Sequence, residues 1–221
     1  RIWIDICDRG ADLYEFLEYE MVHHHLFVVR SKSNRRLDDA EKDDPLRLLH
    51  DRLRSLPSQG TKVITVGGRP GQPKREATLH IAYEALLLRP PHVRRGNHSR
   101  EPMRLWAMRV WEVNPPPGCE PVEWFILTNV AVQSVEDAWE RIEWYSRRWI
   151  IEEYHKCKKS GAKIEDPQFT TAGAIEPTIA LLSVVAVGLL NVREAARDPN
   201  RRDHPAAMYV GELAVRVLSL W

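Results

Sequence analysis

Residues 145–159 read YSRRWIIEEYHKCKK and lie late in a helical pattern that begins near Ser134. Because an α-helix turns by about 100° per residue, positions three or four apart share a face. Steps of three and four place five polar side chains on one stripe: Tyr145, Arg148, Glu152, Lys156 and Lys159. A single carboxylate that is surrounded by phosphate-binding groups suits metal-dependent phosphoryl transfer on DNA.

A solvated helix offers a simpler interpretation of the same stripe. Glu-to-Lys pairs four residues apart stabilise an exposed helix slightly, and Glu152 with Lys156 fits this pattern. The simpler interpretation does not account for Tyr145 and Arg148 on the same stripe, or for a further cation at Lys159.

Three segments of the chain resemble the cut-and-paste DDE transposases of bacterial insertion sequences. The spacing Tyr-x-x-Arg-x-x-x-Glu-x-x-x-x-x-x-Lys is similar to the signature of that family, and Tyr145, Arg148, Glu152 and Lys159 fill its positions. The segment CDRGADLYEFL, followed by FVVRSK, resembles the second catalytic motif of the family, an Asp followed by Arg-x-Ala-Asp. The segment NPPPGCEPVEWFILTN resembles its Asn-Pro-Pro…Trp-x-x-Leu-Thr element.

The order of elements predicts an α/β fold. Strand patterns at Arg1–Cys7 and Leu26–Arg30 flank a helix expected over Asp12–Glu20, whose apolar face is Leu13, Phe16 and Leu17. The resemblance implies a ribonuclease-H-like core that is incomplete at its N-terminus and carries an inserted antiparallel β subdomain. The expected segments are 1–32 in the core, 33–130 as the β-rich insertion, 131–197 as the helices that complete the core, and 198–221 as the start of a C-terminal helical region.

Further elements follow from local patterns. A short helix is expected within Asp38–Leu56, and a turn at Gly67–Pro73. Strands are expected at four places: Thr61–Val66, Arg75–Leu87, Leu105–Val113 and Trp124–Thr128. Ser134 with Asp137 predicts a capping-box start for a helix that runs to about Lys159. A nearly all-apolar helix over Thr170–Arg197 is expected to be buried, and Asp203–Trp221 is amphipathic.

The resemblance implies a catalytic role for Asp8 and Glu152. Both carboxylates would bind Mg²⁺ or Mn²⁺ in a two-metal site, since oxygen ligands suit these ions. From the residues alone, Asp8 at a strand end is better explained as a cap for the next helix. The implied activity is metal-dependent cleavage at DNA ends, followed by hairpin formation and strand transfer.

The resemblance also implies contacts with DNA. Backbone phosphates would be held by six side chains: Arg30, Lys32, Tyr145, Arg148, Lys156 and Lys159. Trp149 lies beside them and either touches DNA or packs. Trp124 falls where the family stacks a tryptophan on a flipped base, although a core aromatic is the alternative without the family. The structural alternative for Arg30 is a salt bridge at a strand end.

One position of the family pattern has no counterpart here. No residue before Asp8 fits the first catalytic Asp, because Asp5 belongs to the same strand, so we expect the chain to be part of a longer protein and inactive alone. Two alternatives stay open: a non-catalytic DNA-binding or inhibitory transposase fragment, and a ribonuclease-H-like nuclease without a transfer step. The implied partners are transposon-end DNA, target DNA and a second subunit in a homodimer.

Composition sets few further limits. The 221 residues have a net charge of +1, so DNA binding would depend on clustered charge such as the basic runs Arg30–Arg36 and Arg94–Arg100. The three separated cysteines indicate neither a zinc site nor disulfides, which favours a reducing, cytoplasmic setting. The resemblance implies that this setting is bacterial and nucleoid-associated. The run His23–His25 is interpreted as a turn rather than a metal tract. The apolar run Ile179–Leu190 is short for a bilayer span, so no membrane is expected.

Overall fold

A parallel β-α-β unit opens the fold. The computed structural model describes residues 2–66, 75–91, 99–161 and 171–219. Strand β1 (Ile4–Cys7), helix α1 (Tyr14–Val22) and strand β2 (Leu26–Arg30) form the unit, in which β1 and β2 pair in parallel. This order confirms the α/β class that the sequence predicts.

Four antiparallel strands extend the same sheet. They are β3 (Gly60–Val66), β4 (Arg75–Leu88), β5 (Met103–Glu112) and β6 (Glu123–Thr128). The six strands run in the order β1-β2-β6-β5-β4-β3, and β6 pairs antiparallel with β2. The strands that the sequence assigns to an inserted subdomain are therefore continuous with β1 and β2 and do not form a sheet of their own.

Helices cover both faces of the sheet. On one face, α1 and α2 (Leu49–Ser55) contribute Tyr14, Leu17 and Leu53 to a core that includes β2 and β6 residues. On the other face, α3 (Val135–Ser146) contributes Ala138 and Ile142 to a second core. The short helix expected within Asp38–Leu56 is confirmed as α2.

Helix α1 begins later than predicted and buries a different face. Its N-cap is Leu13, which is exposed, whereas Tyr14 and Leu17 are buried and Phe16 is partly buried. The prediction that Leu13 belongs to the apolar face was wrong. Leu13 has extended backbone as the N-cap and so does not share the helical repeat with Leu17.

The helix expected over Ser134–Lys159 is not one continuous α-helix. Ser134 and Asp137 form the predicted capping box at its start. Helix α3 then ends at Ser146, and a 3₁₀ turn (Arg147–Trp149), helix α4 (Ile150–Lys156) and a π-helical turn (Cys157–Gly161) follow. Because a 3₁₀ turn has three residues per turn, the single stripe predicted from an ideal α-helix does not continue through it.

Contacts divide the chain into two units, residues 1–148 and 149–221. The second unit contains α4, α5 (Ala172–Arg197), α6 (Ala207–Val210) and α7 (Glu212–Ser219). The predicted burial of the long helix was wrong. Leu181 and Val184 of α5 are 66% and 71% exposed, and Ala186 and Leu190 lie on its buried side. Apolar composition shows that a helix needs a partner surface, and among the described residues of its unit α5 packs mainly against α4, α6 and the π-helical turn.

By length and composition, Gly173–Arg197 could cross a membrane, with a mean hydropathy of 1.9. Within the described ranges it is the one helix of this kind, which is weak grounds for a membrane span. Two expected features, the turn at Gly67–Pro73 and most of the basic run Arg94–Arg100, lie outside the described residues.

Candidate functional site

Three strand ends meet at one edge of the sheet. The carboxyl ends of the parallel strands β1 and β2 lie at this edge, together with the amino end of the antiparallel strand β6. The register pairs Cys7 with Val29 and Arg30 with Ile126. Asp8 therefore follows β1 at the level of Arg30, and Trp124 lies at the start of β6 on the same edge. Functional groups of α/β proteins collect at such carboxyl edges.

Asp8 is exposed and caps a short turn. Its Oδ1 accepts a hydrogen bond of 2.8 Å from the Gly10 backbone N–H, at the start of a 3₁₀ turn over Arg9–Ala11. The capping role weighed from sequence is thus observed, although on this turn rather than on α1. A Cβ at Gly10 would lie 3.0 Å from Asp8 Oδ1, so the glycine leaves room for the carboxylate.

Arg30, Trp124 and Tyr145 form one cluster, here called the aromatic–arginine cluster. The Arg30 guanidinium carbon lies 5.7 Å from the centre of the Trp124 ring. The Trp124 and Tyr145 rings meet edge to face, with centroids 5.4 Å apart. Tyr145 is buried, whereas Arg30 and Trp124 are partly exposed. The cluster joins β2, β6 and α3 and brings together three residues predicted to contact DNA. Tyr145 belongs to the second core and Trp124 packs against that core, which is the alternative considered for Trp124.

Positive charge accumulates around this cluster. Burial lowers the pKa of the Arg30 guanidinium, the Tyr145 hydroxyl opposes that effect, and the charges of Arg9 and Arg148 lower the pKa further. Arg30 also donates a hydrogen bond of 3.3 Å to the Glu123 carbonyl. A strand-end salt bridge, the alternative considered for Arg30, is not the arrangement observed. Arg9 and Arg148 therefore each lie near enough to Arg30 to disfavour its charge.

Lys32 is exposed on the segment after β2, and buried Asp12 holds that segment. The Asp12 carboxylate accepts hydrogen bonds of 2.7 Å from the backbone N–H groups of Lys32 and Ser33. It also forms an ion pair with Arg35 at 2.9 Å. Asp12 is the last residue of the Arg-x-Ala-Asp motif, and its role here is to position the Lys32 backbone.

The remaining predicted residues belong to the second unit. Glu152, Lys156 and Lys159 are exposed, and Trp149 is 42% exposed with the Arg193 guanidinium 5.8 Å from its ring centre. Arg193 pairs with Glu153, and that hydrogen bond lowers the pKa of the Glu153 carboxyl. Asp8 lies in the first unit and Glu152 in the second.

Two features were missed by sequence reasoning. Arg9 contributes to the charge around Arg30, and its position directly after Asp8 was the available signal. In addition, one ligand atom from each of Asp5, Glu20 and His25 lies within 4.8 Å of the others. The turn predicted for His23–His25 is confirmed, but the last histidine of that run joins a possible metal-binding group.

A scan of the sequence against models of known protein families finds no match.

Proposed function

We propose that this chain is part of the catalytic domain of a DDE transposase, a protein that cleaves DNA ends and joins them to a target. The observation that carries the proposal is the aromatic–arginine cluster. Arg30, Trp124 and Tyr145 are far apart in sequence, and the resemblance assigns each of them to DNA binding. Their contact supports a shared role.

The chemistry of the cluster suits a distorted DNA end. A partly exposed indole offers a face on which an unstacked base can stack, which contributes about 1–3 kcal/mol per base. Guanidinium groups hold phosphates through paired hydrogen bonds. Trp124 and Arg30 therefore combine a base platform with a phosphate contact, and Arg9 and Arg148 add positive charge.

The carboxylates assigned to metal binding are consistent in type with this activity. Asp8 is exposed at the carboxyl edge of the sheet and Glu152 is exposed on α4, and oxygen donors of this kind fit Mg²⁺ or Mn²⁺. By the resemblance, the bound ions would activate the attacking oxygen and stabilise the leaving 3′ oxygen. Arg30 and Lys32 would orient the phosphates, and Trp124 would hold a flipped base. The proposed partners are transposon-end DNA, target DNA and a second subunit, and the proposed setting is the bacterial nucleoid.

DNA binding tests the cluster directly. The probe is a fluorescein-labelled duplex with one extrahelical thymine near its end, compared with the same duplex without the extra base. We expect tighter binding of the thymine-bearing probe. We expect Trp124→Ala to weaken that binding by about 5- to 150-fold, the equivalent of one lost stacking contact. Arg30→Ala should weaken binding of both probes.

Trp111→Ala is the matched control. Val110 pairs with Trp124 in the β5–β6 register, so the next residue, Trp111, points to the opposite face of the sheet. Its replacement should leave the preference for the extrahelical thymine unchanged. Equal binding of both probes by the wild type, or equal losses in the two tryptophan variants, would refute the role of the cluster.

Nicking with Mg²⁺ tests the enzymatic step separately. Asp8→Asn and Glu152→Gln should each abolish any Mg²⁺-dependent nicking that the wild-type chain performs. Binding by the wild type without nicking fits both the transposase part, which we expect to be inactive alone, and the non-catalytic DNA-binding or inhibitory fragment, whereas Mg²⁺-dependent nicking by the chain would exclude that fragment. Nicking that survives Asp8→Asn would contradict the assignment of that carboxylate.

A further inference from the structure

A second group of potential ligands lies near the other end of the β-α-β unit. Asp5 is in the middle of edge strand β1, Glu20 is in the last turns of α1, and His25 is in the turn just before β2. His25 therefore adjoins the amino end of β2, whereas Asp8 follows the carboxyl end of β1. Because β1 and β2 are parallel, His25 and Asp8 lie at opposite ends of these strands.

Glu20 is the unusual member of this group. Its side chain is 5% exposed, and its Oε2 atom is buried without a hydrogen-bond partner among the described residues. That oxygen faces His25 Nδ1 at 3.4 Å. Burial and the nearby Asp5 carboxyl raise the pKa of the Glu20 carboxyl, because a buried carboxylate is costly and like charges repel. A cation among the three groups would stabilise the charged form of Glu20 in place of a proton.

The distance between the His25 and Glu20 ligand atoms fits a tetrahedral zinc ion. Nitrogen and oxygen ligands about 2.1 Å from a tetrahedral Zn²⁺ lie about 3.4 Å apart. The observed separation of His25 Nδ1 and Glu20 Oε2 is 3.4 Å, and all three ligand atoms fall within 4.8 Å of one another. One imidazole with two carboxylates suits a divalent transition ion better than Mg²⁺, which prefers oxygen and water ligands.

A cleft gives access to the group. It has a volume of about 560 Å³, and Asp5 and His25 line it together with Trp3 and Leu26. An ion could enter from this side and keep a water molecule as its fourth ligand. Glu20 is buried and does not line the cleft.

We propose that Asp5, Glu20 and His25 bind one divalent transition-metal ion, with Zn²⁺ as the best match. The bound ion holds the end of α1 and the following turn against edge strand β1. This site is separate from the carboxylates assigned to DNA cleavage, and it does not depend on the proposed function.

Titration calorimetry of the full chain with ZnCl₂ tests the site. We expect one Zn²⁺ per chain, and a rise of about 5–10 °C in Tm when free Zn²⁺ is a hundredfold above its Kd. Glu20→Gln and His25→Ala should each weaken Zn²⁺ binding by about 100-fold or more, since even residues that only support metal ligands contribute 10- to 100-fold. Glu20→Gln keeps the side-chain volume and removes a buried charge, so this variant should fold.

The neighbouring histidine supplies the control. His23→Ala removes an imidazole from the same run, but His23 Nδ1 contacts the Tyr19 carbonyl and is not part of the group. His23→Ala should bind Zn²⁺ as the wild type does. Failure of the wild type to bind, full binding by Glu20→Gln, or equal losses in His23→Ala and His25→Ala would each overturn the proposal. The last two outcomes would indicate adventitious binding by the histidine run.

Discussion

Replacing Asp12 by alanine should cause one of the largest losses of stability that a single substitution can produce in the first unit. The Asp12 side chain is fully buried, and Arg35 beside it is 15% exposed. The carboxylate accepts two backbone hydrogen bonds of 2.7 Å, from Lys32 and Ser33, and side-chain hydrogen bonds of 2.9 and 3.1 Å from Arg35. No other described side chain holds this loop in the same way.

The expected loss of stability follows from the charged and polar groups that Asp12→Ala leaves without their partner. Breaking a buried ion pair by removing one partner costs about 3–5 kcal/mol, because the other charge remains buried. The part-buried N–H groups of Lys32 and Ser33 would also lose their acceptor, at up to about 1–3 kcal/mol each if no water replaces it. Arg35 keeps its hydrogen bond to the Asp12 carbonyl, and water can reach part of the loop. We therefore expect a loss of about 4 kcal/mol, a large share of the ~5–15 kcal/mol that stabilises a typical domain.

Urea unfolding followed by tryptophan fluorescence measures this loss. Asp43→Ala, at an exposed aspartate, is the control and should change stability by less than about 0.5 kcal/mol. A double-mutant cycle with Arg35→Met isolates the ion pair, and its coupling energy should exceed about 1.5 kcal/mol. A loss below about 1 kcal/mol in Asp12→Ala would refute the argument that this carboxylate holds the loop after β2.

Three further predictions concern the first unit. Gly60→Ala would place a Cβ 2.5 Å from Val135 Cγ1, so overpacking between β3 and α3 should reduce unfolding stability by about 1–3 kcal/mol in urea. Ser134→Ala removes a side-chain cap of α3 and should cost about 1 kcal/mol, measured in the same way. The hydrogen bond from Arg75 lowers the pKa of Glu112 in the folded chain below its ordinary value of 4.5. The unfolded chain therefore binds the proton more readily, and stability should fall as the pH drops below about 4.5 towards the folded pKa.

Each of these predictions has a control. A Cβ at Gly173 on α5 would meet nothing within 4 Å, so Gly173→Ala should not destabilise the chain. Ser146→Ala, at the end of α3, should cost less than Ser134→Ala, because the Ser146 hydroxyl only donates to a carbonyl one turn earlier. Glu112→Gln should flatten the acid dependence of stability. An unchanged slope in that variant would assign the acid effect to other carboxylates.

The sequence predicted those parts of the fold that local patterns determine. Alternation in β4 predicts Ala77, Leu79, Ile81 and Tyr83 on one side; the first three are buried and Tyr83 is partly buried. The capping box at Ser134 depends on a residue three positions away and forms as expected. In both cases the signal and the structure lie within one element, so neighbouring residues suffice to predict them.

Predictions failed where contacts or local helix geometry decide the outcome. The apolar composition of α5 predicts burial, but the Val184 side chain is 71% exposed. The stripe on the predicted catalytic helix assumed 3.6 residues per turn throughout, and the 3₁₀ turn at Arg147–Trp149 breaks that repeat. Asp12 could not be identified as the anchor of Lys32, since only the folded chain brings the two segments together.

The aromatic–arginine cluster differs from both cases. Without the family resemblance, Trp124 is explained as a core aromatic and Arg30 as part of a salt bridge. Neither explanation involves Tyr145. The resemblance assigns all three residues to DNA binding and does not use the distances between them. In the folded chain the three side chains touch because β2, β6 and α3 meet at one edge. This contact is independent of the motif spacing from which DNA binding was inferred. These three side chains are therefore the first positions to substitute in a test of the proposed DNA contact.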